Sequence, residues 1–355
     1  MKKITVDLKS RSYPIYIEPG LVKKIPSYLS EYNKGQKWVI ISQQNIMEII
    51  GYYIEKYFIE KGFDCIHFTL PIGEAAKSMN EYNRAISQMI ENECDRKTFI
   101  VSLGGGAVGD VAGFIASTYM RGIAYIQIPT TLLSMVDSSI GGKTGVNTSE
   151  GKNLIGSIYQ PRAVFIDQEI LKTLPRQEII SGLGEIIKYG AIADQNFFDI
   201  VSVWLDDIQN FPYNQAIDIC CKIKADIVSK DEHDFGVRKI LNFGHTIGHA
   251  LESLYGFKNI RHGEAVALGM ICSGYISNKL NKLDKNQYFL LRDTINKLPL
   301  PTLKKLNQNQ IFDYIKKDKK YENGKLKFII LNQIGNAEIT NQVDEKLLLK
   351  SLSEL

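Results

Sequence analysis

A chain of 355 residues, 44% hydrophobic and 23% charged, has the length of about two globular domains and the composition to bury a core in each. A formal charge of +4 is too small to point to nucleic acid, no run of about 18 apolar residues points to a membrane span, and MKKITVDLKS reads as a strand without the apolar region of a secretory leader, so a cytoplasmic protein is expected. Five cysteines, odd in number and without C-x-x-C spacing, fit neither a disulfide framework nor a zinc finger and read as buried thiols. In chain order, residues 4–8 and 13–19 predict an opening hairpin, 38–42 a buried strand, 45–61 a helix, 65–70 a strand and 80–92 a helix. Residues 98–103 predict a strand that stops on three glycines, followed by a helix over 108–120 and a strand over 123–129. Strands separated by helical patterns predict βαβ crossovers and a mostly parallel sheet, with ligands beyond the strands' carboxyl ends. After Pro175 the texture changes: residues 181–313 are mainly helical in period, apart from a short strand near 326–331. The expected fold class is an α/β nucleotide-binding domain over 1–170 followed by a mostly α-helical domain over 171–355. No Ser/Gly/Pro linker joins them, which suggests packed halves with a cleft between them.

Two stretches carry the chemistry. Eleven of the 28 glycines fall within residues 103–156, broken by Asp110, Arg121, Asp137, Lys143 and Lys152, a pattern of backbone drawn close around an anion. Gly104, Gly106 and Gly109 satisfy G-x-G-x-x-G at a strand–helix turn, where amide groups and the helix dipole favour phosphate. The acidic residue of the standard dinucleotide fingerprint is not evident about 20 residues later, so the expectation is a nucleotide site of another kind. In the second half, His245 and His249 are four apart and share a helix face, and His262 follows a loop; three of the five histidines thus cluster with Glu185. Imidazole plus carboxylate suits zinc with an open position for substrate oxygens. Thr246 stands where a zinc-protease helix needs its glutamate, so the pair does not resemble that motif and proteolysis is not the expected activity. Lys188 lies one turn beyond Glu185 among small and apolar residues, which favours a site over a surface ion pair, and Lys224, Arg238 and Asn242 approach the same segment along the chain.

Together, PIGEAAKS (71–78), GGGAVGDVAGF (104–114), YMRG (119–122), IPTTLLSMVDSSIGGKTGVN (128–147), GKNLIG (151–156), GLGEIIKYG (182–190), LNFGHTIGHALE (241–252) and RHGEAVALGM (261–270) resemble the 3-dehydroquinate synthase family, a branch of the sugar phosphate cyclases, over nearly the whole chain. The resemblance implies NAD and a zinc or cobalt ion as cofactors and a homodimer. It implies Glu185, His245 and His262 as metal ligands and His249 as a proton-handling neighbour. It implies NAD contacts from Glu74, Lys77, Gly105, Gly106, Gly109, Asp110, Thr130, Thr131, Leu171, Lys172 and Thr173, shared by Lys143 and Lys152. The substrate pocket would draw on Arg121, Asp137, Lys143, Lys152, Asn153, Lys188, Lys224, Arg238 and Asn242, completed by Lys319 or Lys320; of these, Lys143, Lys152, Asn153 and Arg238 are expected to converge on phosphate.

By that resemblance the substrate is 3-deoxy-D-arabino-heptulosonate 7-phosphate. NAD transiently oxidises its C5 alcohol, phosphate leaves C7, the hydride returns and the opened ring recloses as 3-dehydroquinate. Ile72, the pair Ser42-Gln43 and Asp234 depart from the family pattern. Three alternatives compete: a cyclase acting on sedoheptulose 7-phosphate or glucose 6-phosphate, a metal-dependent polyol dehydrogenase, and a catalytically dead nucleotide-binding protein. Arg238 and Asn242 favour a carboxylate-bearing substrate, and the basic cluster has no purpose in a polyol dehydrogenase.

Overall fold

The computed structural model describes residues 1–149, 151–256, 259–303, 307–317, 321–322 and 325–355. The chain forms two compact units, Met1–Leu174 with Lys224–His233, and Pro175–Ile223 with Asp234–Leu355. The first unit contains β1 (Lys2–Val6), β2 (Tyr13–Ile17), β3 (Lys37–Gln43), β4 (Asp64–Leu70), β5 (Phe99–Gly104), β6 (Ala124–Pro129), β7 (Lys143–Val146), β8 (Ile155–Ile158) and β9 (Val164–Ile166). Seven of these make one sheet in the order β1-β2-β9-β6-β5-β3-β4. Only β1 and β2 pair antiparallel; β2–β9, β9–β6, β6–β5, β5–β3 and β3–β4 are parallel. All of β5 is buried, as expected of an apolar strand covered on both faces. The chain runs outward from β3 to β4, then returns to place β5 on the other side of β3 and β6 beyond it. The winding direction therefore reverses between β3 and β5, and in open α/β sheets that reversal marks the ligand crevice.

Two expectations are corrected here. The helix over 45–61 is interrupted: Gln44–Ile46 and Tyr52–Glu60 flank a π-helical turn, Met47–Gly51, in which the Met47 side chain fills the space where a Cβ at Gly51 would stand. Residues 143–158 form a β7–β8 hairpin that the glycine content conceals. Gly145 and Gly156 are paired in register, and a Cβ on Gly145 would lie 2.7 Å from the Ile155 carbonyl oxygen. These two glycines serve strand-to-strand approach rather than a ligand.

The second unit is helical, with helices Arg176–Ala193, Gln195–Trp204, His245–Tyr255, His262–Lys279, Lys285–Ile295, Gln308–Lys317 and Glu345–Ser351. The helix Tyr213–Lys230 begins here, and its last turns belong to the segment Lys224–His233 of the first unit. Phe328–Gln333 pairs antiparallel with Asn336–Thr340; only the first of these strands is legible in the sequence. Every residue from Gly263 to Ser277 is buried, so the helix His262–Lys279, covered on all faces, is the core of this unit. It packs against Arg176–Ala193 and His245–Tyr255. Side-chain-free positions allow the close approach: a Cβ on Gly263 would overlap the Ser181 carbonyl oxygen, one on Gly184 the Gly263 carbonyl, and one on Gly269 the Gly244 carbonyl.

Candidate metal centre and cofactor edge

Three helices of the second unit deliver the metal-type side chains. Glu185 sits in the middle of Arg176–Ala193, His245 opens the helix after Gly244, whose φ of 78° suits glycine, and His262 is the first residue of its own helix. Glu185 Oε1 lies 3.7 Å from His245 Nε2 and 3.7 Å from His262 Nε2. Two ligands about 2.1 Å from a zinc ion at the tetrahedral angle stand roughly 3.4 Å apart, so the spacing suits a shared ion. His245, His249 and His262 also bring nitrogens within 4.8 Å of one another, so a fourth donor is near.

The Glu185 carboxylate is 0% exposed; its Oε2 pairs with the Lys188 ammonium, itself 1% exposed, while its Oε1 faces the two imidazoles. Oε1 has no hydrogen-bond donor among the described residues. A buried carboxylate left so under-satisfied is costly, and a divalent cation is the partner that the surrounding imidazoles would share. Burial alone would push the His262 pKa down, but the hydrogen bond and charge of Glu252, with the charge of Glu185, hold it above its ordinary value against the opposing Lys188. The cluster attracts positive charge, and the residues present fit a divalent metal.

The first unit gathers its candidate residues along one edge. Glu74 and Lys77 follow β4, Gly105–Asp110 follows β5, Thr130 and Thr131 follow β6, and Leu171–Thr173 lies in the 3-10 turn Gln168–Thr173 after β9. All therefore lie beyond the carboxyl ends of parallel strands. The helix Gly106–Thr118 starts at Gly105 without a side-chain cap, which leaves first-turn amides available to an anion. Thr130, 2% exposed, has a hydroxyl with no hydrogen-bond partner among the described residues at the same edge. Both features fit a dinucleotide.

Lys77 Nζ pairs with Asp110 Oδ2 at 2.5 Å; burial raises the Asp110 pKa and Lys77 opposes the rise. The β7–β8 loop is tied to the same turn, since Asn147 donates from its amide to Lys77 O (2.7 Å) and from Nδ2 to Glu74 Oε2 (2.9 Å). Asn153, with φ of 53°, donates its backbone N–H to Asn147 Oδ1 at 3.1 Å, which brings the Lys152-Asn153 turn to that group. Lys224 Nζ meets Asp137 Oδ1 at 2.7 Å and its charge also acts on Asp110.

Residues 67–181 match the family model described as 3-dehydroquinate synthase N-terminal, and 182–321 match that described as 3-dehydroquinate synthase C-terminal. The chain belongs to the 3-dehydroquinate synthase family. The 3-dehydroquinate synthase of Desulforamulus reducens is 41% identical over 363 residues, covering 100% of both chains. That of Rippkaea orientalis is 41% identical over 352 residues, covering 97% of this chain and 96% of its own. Among solved structures, 2-deoxy-scyllo-inosose synthase complexed with carbaglucose-6-phosphate, NAD+ and Co2+ is 28% identical with a TM-score of 0.91, covering 99% of this chain and 100% of that one. The fold class read from the sequence is that of the sugar phosphate cyclases.

Within this family architecture the departures have local explanations. Ser42 donates its hydroxyl to Leu103 O at 2.7 Å across the winding reversal, and Gln43 donates from Nε2 to Pro71 O (2.9 Å) and Gly73 O (3.2 Å), bracing the turn that carries Glu74. Ile72 is 64% exposed at the start of that turn. Asp234 has a φ of 62°, a left-handed conformation that a short Asp tolerates better than Glu. Arg121 stands apart from the other first-unit residues: it is exposed, with a φ of 68°, beyond the C-terminal end of the helix whose opposite end carries Asp110. Lys319 and Lys320 lie outside the described residues. Glu252 and Ser181 are the residues that the motifs did not single out. Helical spacing puts each on the face of a candidate ligand, Glu252 three beyond His249 and Ser181 four before Glu185, but their contacts are to the helix that begins at His262 and are not encoded by that spacing.

Proposed function

We propose that the chain converts 3-deoxy-D-arabino-heptulosonate 7-phosphate into 3-dehydroquinate and phosphate, a phosphorus–oxygen lyase reaction of the shikimate route to aromatic amino acids. The observation that carries this reading, beyond family membership, is the buried, under-satisfied Glu185 carboxylate facing two histidine Nε2 atoms. NAD supplies a reversible oxidation, and a zinc or cobalt ion held by Glu185, His245 and His262 supplies a Lewis acid.

The chain's own residues bind and orient. Residues 1–170 take the cofactor along the carboxyl-end edge, with Lys77 and Asp110 fixing each other there. Residues 171–355 take the metal, with Lys188 balancing the charge of Glu185. In the first unit, Lys143, Lys152 and Asn153 read phosphate oxygens and the Lys224–Asp137 pair orders the adjoining turn; in the second, Arg238 and Asn242 donate to substrate oxygens. His249, whose ring lies 5.4 Å from that of His245, carries a proton on an imidazole nitrogen during elimination. A cytoplasmic homodimer is the expected assembly; no helix among the described residues is long and apolar enough to cross a membrane.

The purified chain, given the heptulosonate phosphate with zinc and sub-stoichiometric NAD, should release one phosphate per substrate without accumulating NADH. Absorbance from NADH rising in step with substrate consumed would replace this reading with a polyol dehydrogenase. Lys152→Ala should weaken a phosphate-bearing substrate analogue by about 10–100-fold, the worth of a hydrogen bond to a charged group at roughly 1.5–3 kcal/mol. A phosphate-free analogue should be affected far less, and equal losses for both would show that Lys152 does not read the phosphate.

A further inference from the structure

We infer that Glu252 is a positioning residue for the metal centre, holding the His262 ring so that Nε2 rather than Nδ1 faces Glu185. The inference rests on the metal assignment proposed above. Glu252 is 6% exposed and follows His245 and His249 by seven and three residues in one helix, which puts all three on one face. Its Oε2 lies 3.1 Å from His262 Nδ1. An ionised carboxylate can only accept, so Nδ1 carries the proton and the Nε2 lone pair is left to point at the position shared with Glu185, 3.7 Å from Oε1.

His245 shows the same device with a different acceptor. Its Nδ1 donates to the Phe243 carbonyl at 3.1 Å, and its Nε2 also lies 3.7 Å from Glu185 Oε1. Two imidazoles are thus turned onto one carboxylate oxygen by separate acceptors. They differ in how firmly each is held. The His245 acceptor is two residues away in the chain, so local backbone geometry sets that ring.

His262 begins its helix with a side chain that is 33% exposed, and its ring depends on a side chain from a different helix. Ser181 Oγ accepts from Gly263 N–H at 3.0 Å and so fixes the adjacent main chain, while Glu252 supplies the acceptor that sets which ring nitrogen of His262 is turned inward. A carboxylate acceptor also makes the imidazole a stronger donor than a carbonyl would.

The test uses the full chain stripped of metal by a chelator and titrated with cobalt(II) and zinc alone, with the visible cobalt spectrum and the melting of the metal-free protein as independent readouts. Glu252→Met, similar in volume but without an oxygen acceptor, should lose about 10–100-fold in metal affinity and alter the cobalt spectrum. Glu252→Gln, whose amide oxygen can still accept from Nδ1, should recover most of that loss. Glu252→Asp keeps the charge but withdraws the carboxylate by one methylene, so it should lose in the same direction; it decides the matter if the Met variant does not fold. Wild-type affinity in the Met and Asp variants, or equal losses in Met and Gln with intact melting, would overturn the positioning role while leaving the metal site standing. A wild-type chain that binds neither ion would remove the metal assignment itself and this inference with it.

Discussion

His262→Ala should abolish both metal binding and phosphate release while leaving the fold and NAD affinity in place. A residue that merely orients a ligand is worth about 10–100-fold in affinity or activity, so loss of the ligand itself should exceed about 100-fold. His262 is the cleanest of the three positions to remove. Its side chain is 33% exposed at the start of a helix, so truncation leaves water access rather than a sealed cavity. Glu185 is a poorer choice, because replacing it with Gln strands the 1% exposed Lys188 ammonium, and breaking a buried pair costs about 3–5 kcal/mol irrespective of any metal. Zinc content per chain and initial rates of phosphate release are the measurements. Stoichiometric zinc with full activity in His262→Ala would overturn the ligand assignment.

Much of this centre is legible in the sequence because helical spacing is periodic. His245 and His249 share a face by count alone, and Lys188 falls beside Glu185 for the same reason. The parallel sheet is legible too, since strand-like and helix-like runs alternate from residue 38 to 129. What hides is whatever glycine does for the backbone. The β7–β8 hairpin reads as a ligand loop because Gly145 and Gly156 remove the alternation by which strands are recognised, yet they face each other across the pair. The roles of Glu252 and Ser181 hide for another reason. Each acts on His262 or its neighbour from a different helix, at separations of 10 and 82 residues, and no local pattern encodes such contacts. Arg121 is the converse case, a residue grouped with its neighbours by motif but carried by the length of its helix to the opposite end from Asp110.

Gly263→Ala should be the most damaging single-methyl change in the second unit. The added Cβ would overlap the carbonyl oxygen of Ser181, a backbone atom of the helix Arg176–Ala193, which cannot swing aside as a side-chain terminus could. The Gly263 carbonyl is in turn the atom that a Cβ on Gly184 would strike, so the crossing is tight in both directions. Separating the helices moves His262, one residue before Gly263, away from Glu185, one residue after Gly184. Overpacking costs typically about 1–3 kcal/mol and sometimes more, and a backbone collision belongs at or beyond the upper end. At roughly 2–4 °C per kcal/mol for a body of this size, melting should fall by about 6–12 °C, and zinc affinity should fall with it. Ser181→Ala is the graded comparison: it removes the hydroxyl that accepts from Gly263 N–H without pushing the helices apart, and loss of such a capping contact costs about 1 kcal/mol. The order of melting temperatures should therefore be wild type, Ser181→Ala, Gly263→Ala. A Gly263→Ala protein that melts with the wild type and keeps its zinc would mean that the two ligand-bearing helices do not cross at these glycines.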